Sequence, residues 1–214
     1  MREHTIALYK FDELKPEAKE RAIQKWRDGM EWDIESEFIT ESFEEKLKKL
    51  GYPTDNIEWR LSYSQGDGVA FYGDVDVQIV AKRILEGNNL ALFNKLIEED
   101  LTVTVKIYKN SFGYHYSHWN TMEVELDGDC LETMMDYLYE DLDDDSDEYA
   151  DKRDELESML MNLREGISDE IKDVSRQLEK DGYADIEYYE SDEAISETLK
   201  ANEYEFKEDG TMFF

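Results

Sequence analysis

The chain has 214 residues, of which 55 are acidic and 24 are basic, so it carries a net charge of -31. Such a charge repels the phosphates of nucleic acids and of anionic membranes, which excludes both as direct ligands and favours a basic protein as the partner. Hydrophobic residues make up 40% of the sequence and aromatic residues 13%, which is enough for a packed core and excludes a disordered chain.

The sequence shows no signal for export or for membrane insertion. Cys130 is the single cysteine, so an internal disulfide bond is excluded and a reducing compartment is favoured. The first residues contain no apolar run of signal-peptide length, and no other stretch approaches the length and apolarity of a membrane span. These features predict a cytoplasmic protein.

Two helices are predicted near the start of the chain, after a short strand at Thr5–Tyr9. Apolar residues recur at helical spacing in Asp12–Asp28, and Pro16 suits the first turn of such a helix. The same periodicity is found in Asp33–Leu50, where Gly51 supplies a stop signal.

The stretch Ile57–Val77 predicts two strands joined by a glycine-rich loop. Apolar and polar residues alternate before the loop, as expected of a half-buried strand, with one face formed by Ile57, Trp59, Leu61 and Tyr63. The segment Gln65-Gly66-Asp67-Gly68 separates the two runs, and glycines beside an aspartate indicate a tight hairpin turn.

Helices and strands then alternate as far as residue 126. The pattern predicts helices at 76–85 and at about 88–99, followed by strands at 101–108 and 114–126. Together with the hairpin, these strands predict an antiparallel meander of four strands with helices packed on one face. This is the layer pattern of an α+β fold.

From Asp129 the chain becomes more acidic and helical. One amphipathic helix is predicted at 131–142, the acidic run D-L-D-D-D-S-D-E follows at 141–148, and a long helix is predicted at 148–180. The long helix has a nearly heptad-spaced apolar stripe, consisting of Leu156, Leu160, Leu163, Ile167, Ile171, Val174 and Leu178. Gly166 could break or bend it, and a continuous helix that pairs with its predecessor in an antiparallel hairpin is the interpretation we favour.

The C-terminal segment predicts a strand at 184–189, a helix capped by Ser191, and a hairpin whose turn is Glu208-Asp209-Gly210. We therefore expect an α+β core domain at 1–126, an acidic helical hairpin at 127–181, and a small αβ element at 182–214 that packs back on the core.

The first candidate site is the acidic surface of the helical hairpin. Residues 127–181 hold 21 acidic and 6 basic residues, a net charge of -15. Regularly spaced carboxylates resemble the backbone of DNA and would attract the basic cleft of a nucleic-acid-binding protein. The alternative is a solvated face that keeps the protein soluble. The residues of this surface are Glu140, Asp141, Asp143, Asp144, Asp145, Asp147, Glu148, Asp151, Asp154 and Glu155.

The second candidate site is a ligand loop formed by Ser64, Gln65, Gly66, Asp67 and Gly68, with His118 as a further member. Its backbone could cradle an anion, and its side chains could converge with His118 in a pocket. The alternative is a hairpin turn without a ligand. A Ser-His-Asp site would require these groups to lie within hydrogen-bonding distance, which the sequence does not show, so no catalytic residue is assigned and an enzyme is not favoured.

The sequence predicts neither a metal site nor a cofactor. An EF-hand loop needs glycine at its sixth position and glutamate at its twelfth, but a loop beginning at Asp141 places Ser146 and Lys152 there. His115 and His118 are three residues apart, an odd offset that would place them on opposite faces of the predicted strand.

Four segments of the chain resemble uncharacterised acidic proteins of bacteriophages and prophages. They are Y-K-F-D-E-L-K-P-E-A-K-E-R-A-I at 9–23, S-Q-G-D-G-V-A-F at 64–71, Y-S-H-W-N-T-M-E-V at 116–124, and S-D-E-A-I…A-N-E-Y-E-F-K-E-D-G at 191–210. The resemblance implies a phage origin and a location in the host cytoplasm, and it implies no catalytic role. Phages often encode small acidic proteins that block host DNA-binding defence enzymes.

Three hypotheses follow. The first is an anti-defence inhibitor that mimics DNA and binds a basic, nucleic-acid-binding host protein through its acidic surface. The second is a ligand-binding or enzymatic module at the 64–68 loop and His118. The third is a phage scaffold or assembly protein that uses the helical hairpin as a coiled-coil interface. The sequence does not indicate an oligomeric state.

Overall fold

The computed structural model of the chain describes residues 6–30, 33–110, 118–128 and 130–213. The chain divides into two compact units: a smaller unit of Met1–Ile39 with Asp181–Phe214, and a larger unit of Thr40–Lys180. The predicted domain boundary at residue 181 therefore falls at a boundary between units, whereas the predicted boundary at residue 126 falls inside the larger unit. Within the described residues, no helix combines the length and apolarity needed to cross a membrane.

Helices and antiparallel sheets make up the described chain, which confirms the α+β class. The α-helices are α1 Pro16–Asp28, α2 Asp33–Leu50, α3 Val77–Ile84, α4 Gly87–Glu98, α5 Cys130–Leu138, α6 Asp147–Tyr189 and α7 Asp192–Ala201. The strands are β1 Tyr9–Lys10, β2 Asn56–Arg60, β3 Gly68–Asp74, β4 Val105–Lys109, β5 Met122–Leu126, β6 Glu205–Phe206 and β7 Met212–Phe213. Short 3-10 helices occur at Phe11–Glu13 and Trp119–Thr121.

The larger unit contains the predicted four-stranded meander. Its strand order is β2-β3-β4-β5 and all neighbours are antiparallel, with Ile57 opposite Phe71 and Ile107 opposite Val124. β3 is buried on both faces from Gly68 to Tyr72, because Phe71 packs against Tyr52 while the Tyr72 hydroxyl bonds to Thr121. β3 is thus the centre of this unit.

The long helix α6 is continuous and lies against the sheet. Its predicted apolar stripe is buried from Leu156 to Leu178, and two of its polar side chains bond to the sheet: Arg164 Nε donates to Val124 O at 3.1 Å, and Ser175 Oγ donates to Val69 O at 2.5 Å. Gly166 does not break the helix. A Cβ atom at this position would clash with Ile84 Cγ2, so the glycine permits the close approach of α3.

The predicted strand at 184–189 is wrong, because α6 continues through this segment to Tyr189. In a strand, Ile186 and Tyr188 would share one face. In the helix they point to different sides, so Ile186 is buried while Tyr188 is 54% exposed.

The smaller unit is built on a three-stranded sheet with the order β1-β6-β7. Helices α1 and α7 pack with this sheet around one apolar cluster, consisting of Phe11, Leu14, Ala18, Ala22, Ile23, Ile195, Leu199 and Phe206. The Ser191 side chain caps α7 by accepting from Ala194 N at 3.2 Å, as predicted. The C-terminal hairpin is also confirmed, since β6 and β7 pair around a turn in which Lys207 N donates to Thr211 O.

Two predicted strands differ from the structure. The N-terminal strand is Tyr9–Lys10, later than predicted, because its partner β6 is only two residues long and Tyr9 pairs with Phe206. The strand predicted at 114–126 begins at Met122, after the 3-10 helix Trp119–Thr121. Residues 114–117 of that prediction, including His115 and Ser117, lie outside the described part of the chain.

Candidate functional site

The acidic surface, defined as the ten carboxylates from Glu140 to Glu155 named above, lies on the connection from α5 to α6 and on the first turns of α6. The connection is a series of tight turns, in which Leu142 N donates to Tyr139 O and Ser146 N donates to Asp143 O. The Ser146 hydroxyl then accepts from Tyr149 N at 3.1 Å and so caps α6. Asp147 in the following turn is stabilised by the helix dipole.

A fork of two hydrogen bonds fixes α6 to α5 beside this surface. Arg153 Nη1 donates to Glu132 Oε2 at 3.1 Å, and Arg153 Nη2 donates to Glu132 Oε1 at 2.5 Å. The guanidinium group holds the pKa of the Glu132 carboxyl below its ordinary value. Met134 and Met135 of α5 and Leu156 of α6 are fully buried. Both helices that flank the acidic surface therefore bury apolar side chains in the larger unit.

All ten carboxylates of the acidic surface are exposed. Glu155 lies 2.9 Å from Lys152 Nζ, and the other nine form no ion pair with described residues. Five of them share one face of α6, about 120° wide at 100° per residue: Asp147, Glu148, Asp151, Asp154 and Glu155. Within the described residues, no group of three or more histidines, cysteines or carboxylates is arranged to hold a metal ion.

A groove lies next to this surface, between α4 and the start of α6. It has a volume of about 770 Å³ and is lined by Asn88, Asn89, Ala91, Leu92, Lys95, Tyr139, Asp151, Lys152, Asp154, Glu155 and Ser158. Lys95 Nζ lies 5.4 Å from the centre of the Tyr139 ring, within the range of a cation–π contact. The sequence did not indicate this groove, because about 50 residues separate α4 from α6 and helical periodicity describes only one helix at a time.

The loop predicted to bind a ligand is closed by hydrogen bonds of its own. Asp67 is 8% exposed and accepts from Ser62 N at 2.6 Å, Ser62 Oγ at 2.9 Å, and Ser64 N and Ser64 Oγ, both at 2.8 Å. Between the two serines, Tyr63 has a positive φ of 55° and is 72% exposed. The Asp67 carboxylate therefore organises the loop, as the hairpin-turn interpretation expects. Gln65 is exposed at the tip.

His118 lies in extended backbone directly before the second 3-10 helix, and not in a strand. Its carbonyl accepts from Thr121 Oγ1 at 2.8 Å, and that hydroxyl also bonds to the Tyr72 hydroxyl at 2.7 Å. Burial lowers the pKa of the His118 imidazole, whereas the aspartate of a Ser-His-Asp site would raise it. A pocket shared by His118 and residues 64–68 therefore stays a prediction.

Glu179 on α6 provides a test of the charge around this loop. Burial and the negative charge of Asp67 raise the pKa of Glu179 above its ordinary value of 4.5. Ionised Glu179 therefore destabilises the fold at pH values above its folded-state pKa, and this effect is absent below 4.5. We expect Glu179→Gln to raise the free energy of unfolding at pH 7, by less than about 1 kcal/mol because solvent screens this partly exposed group, and to leave it unchanged near pH 3.

Urea unfolding at both pH values measures this effect. Glu165→Gln is the matched control, because Glu165 is exposed on the same helix. Equal changes at the two pH values, or a loss of stability at pH 7, would contradict the raised pKa of Glu179.

A partly buried polar cluster outside both predicted sites connects α3 and α6 with the residues that follow α2. The Tyr52 hydroxyl donates to Glu170 Oε2 at 2.8 Å, and Arg83 Nε donates to Glu170 Oε1 at 3.0 Å. Arg83 Nη2 also donates to Leu50 O at 2.6 Å. Burial, followed by the charge of Glu170, raises the pKa of the Tyr52 hydroxyl. Each polar group is satisfied within the cluster, so its role is to join the elements.

The fold and the site together define an α+β protein with an acidic surface at the connection from α5 to α6. Residues 36–197, well over half of the chain, match the family described as a domain of unknown function, DUF8835. The chain belongs to this family. No curated protein and no solved structure matches it.

Proposed function

We propose that the protein is a phage-encoded inhibitor that binds a basic, nucleic-acid-binding host protein through its acidic surface. The observation that carries the proposal is the set of ten exposed carboxylates, nine of which form no ion pair with the described residues. Two other exposed carboxylates of α6 are paired with cations of the chain, since Lys172 pairs with Asp169 and Arg176 pairs with Asp173. The exposed carboxylates of the acidic surface are available to an external partner.

The spacing of the charges supports mimicry of a nucleic-acid backbone. The five carboxylates on one face of α6 extend from Asp147 to Glu155, which is about 12 Å of helix axis at 1.5 Å per residue. This corresponds to one charge per about 3 Å of axis, close to the axial charge density of one strand of duplex DNA, which carries one charge per about 3.4 Å of helix axis. A basic cleft that binds a nucleic-acid strand would therefore meet a similar density of negative charge on α6.

The rigidity of the surface supports the same proposal. The Ser146 cap and the fork between Arg153 and Glu132 hold the connection and the start of α6 in place. Binding of a partner therefore costs little conformational entropy at this surface. A smaller entropic cost leaves more of the electrostatic interaction energy as binding free energy.

The first test is the effect of salt and of DNA on binding. We expect the immobilised protein to capture basic nucleic-acid-binding proteins from a host lysate at about 0.05 M salt, and to bind them at least about tenfold more weakly at 0.5 M, because salt screens exposed charges. Duplex DNA should compete for each captured protein. Affinity that does not change with salt, or a partner that binds DNA and this protein at the same time, would contradict the proposal.

The alternatives receive less support. The scaffold hypothesis requires the apolar stripe of α6 as an interface, but that stripe is buried inside the larger unit. The hypothesis of a ligand or enzyme site relies on Asp67, whose carboxylate already accepts four hydrogen bonds from Ser62 and Ser64.

A further inference from the structure

The groove between α4 and α6 combines three kinds of lining. Leu92 and the methyl group of Ala91 are apolar, the ring of Tyr139 is aromatic, and Asp154 and Glu155 carry negative charge. Groups of this kind bind a side chain that has an apolar stem and a cationic head. The volume of about 770 Å³ exceeds what one such side chain needs, so a segment of chain can enter with it.

Cations of the protein itself already occupy the groove. Lys95 Nζ lies 5.4 Å from the centre of the Tyr139 ring, and Lys152 Nζ lies 2.9 Å from Glu155 Oε2. The ammonium group of Lys95 thus contacts the aromatic ring, and that of Lys152 contacts a carboxylate of the groove. These two contacts show where a cation is stabilised in the groove.

We propose that the groove receives an arginine side chain of the basic partner, an inference that rests on the proposed function and specifies its contacts. The guanidinium group stacks on the Tyr139 ring and forms paired hydrogen bonds with Asp154 or Glu155. Arginine fits better than lysine because its planar head can stack on a ring and bind a carboxylate through two donors at once. The partner's arginine competes with Lys152 for Glu155 and with Lys95 for the ring.

This competition gives the proposal a distinctive test. Lys152→Met removes the internal cation while it keeps an apolar stem of similar length. We expect it to strengthen the binding of a hexa-arginine peptide about threefold or more, because the peptide no longer has to break the ion pair between Lys152 and Glu155. Tyr139→Leu should weaken binding about threefold, the size of a cation–π contact at an exposed site, and Tyr139→Phe should leave it unchanged because the ring is retained.

Isothermal titration of the full chain with hexa-arginine, with hexa-lysine of equal length as a reference, measures these changes, and circular dichroism verifies that each variant is folded. The expected result is that hexa-arginine binds more tightly than hexa-lysine and that Tyr139→Leu reduces this difference. Unchanged affinity in both Lys152→Met and Tyr139→Leu would overturn the proposal. So would binding of inorganic phosphate that competes with the peptide, which would make the groove an anion site.

The triple variant Asp143→Asn, Asp144→Asn and Asp145→Asn separates this proposal from the proposed function. If it weakens both peptides equally while the groove variants have no effect, the acidic surface binds cations and the groove proposal alone is overturned. If neither the triple variant nor the groove variants alter binding, both proposals fail.

Discussion

Replacing Asp141, Asp143, Asp144, Asp145 and Asp147 with asparagine is expected to weaken binding to the basic partner by about 100-fold at low salt. Each exposed charge contributes about 0.5 kcal/mol to such contacts, so five contribute about 2.5 kcal/mol. All five side chains are exposed, and none forms an ion pair with described residues. The substitutions should therefore leave the fold intact and should flatten the dependence of affinity on salt. Titration calorimetry at several salt concentrations measures both effects.

A control with the same change in net charge separates local from global electrostatics. It replaces five exposed glutamates of the smaller unit with glutamine, namely Glu17, Glu20, Glu187, Glu193 and Glu197. If the acidic surface binds the partner directly, this control should weaken binding only a few-fold through reduced long-range attraction. Equal losses in the two variants would show that net charge alone attracts the partner, and undiminished binding in the asparagine variant would refute the proposed function.

The largest expected effect on stability is that of Gly210→Ala in the C-terminal hairpin. Gly210 has a φ of 83°, where an L-residue is strained, and a Cβ atom there would clash with the backbone oxygen of Ala18 in α1. The turn is held in this position because Arg21 Nε donates to Asp209 O at 2.9 Å. We expect a loss of about 3 kcal/mol or more, from backbone strain and from displacement of the hairpin from α1.

Gly87→Ala is the matched control for this substitution. Gly87 also has a positive φ, of 55°, but a Cβ atom there would have nothing within 4 Å. It should therefore cost about 1 kcal/mol, from the backbone conformation alone. Urea unfolding measures the loss of unfolding free energy in each variant. Hydrogen exchange should show that Gly210→Ala reduces the protection of backbone amides in α1 and α7. If the two variants lose equal stability, Gly210 is not packed closely against α1.

Local sequence patterns predicted most elements of the fold. The bounds of α2 agree with the structure at both ends, because helical periodicity and Gly51 define the helix and its stop. The hairpin of β2 and β3 and the C-terminal hairpin were predicted from alternation and from turn residues. The prediction of a strand at 184–189 is wrong because a few apolar residues fit the period of a strand as well as that of a helix. In the structure this segment continues the preceding helix.

The candidate site was predicted in part. The exposure of all ten carboxylates from Glu140 to Glu155 follows from the sequence, since so many like charges cannot be buried without partners. The fork between Arg153 and Glu132 was not predicted, and neither was the groove at Tyr139. These depend on how α5 and α4 lie against α6, and no spacing within one helix contains that information.

The sequence by itself determined the charge of the protein, its class of fold and the periodic faces of its helices, because these are properties of composition and of neighbouring residues. Only the tertiary structure decided what each face meets. It buried the stripe from Leu156 to Leu178 against a sheet, where the sequence pattern was compatible with a coiled-coil interface. It also showed that the Asp67 carboxylate closes its own loop. Burial and hydrogen bonding are set by residues distant in the chain, and a local pattern does not identify them.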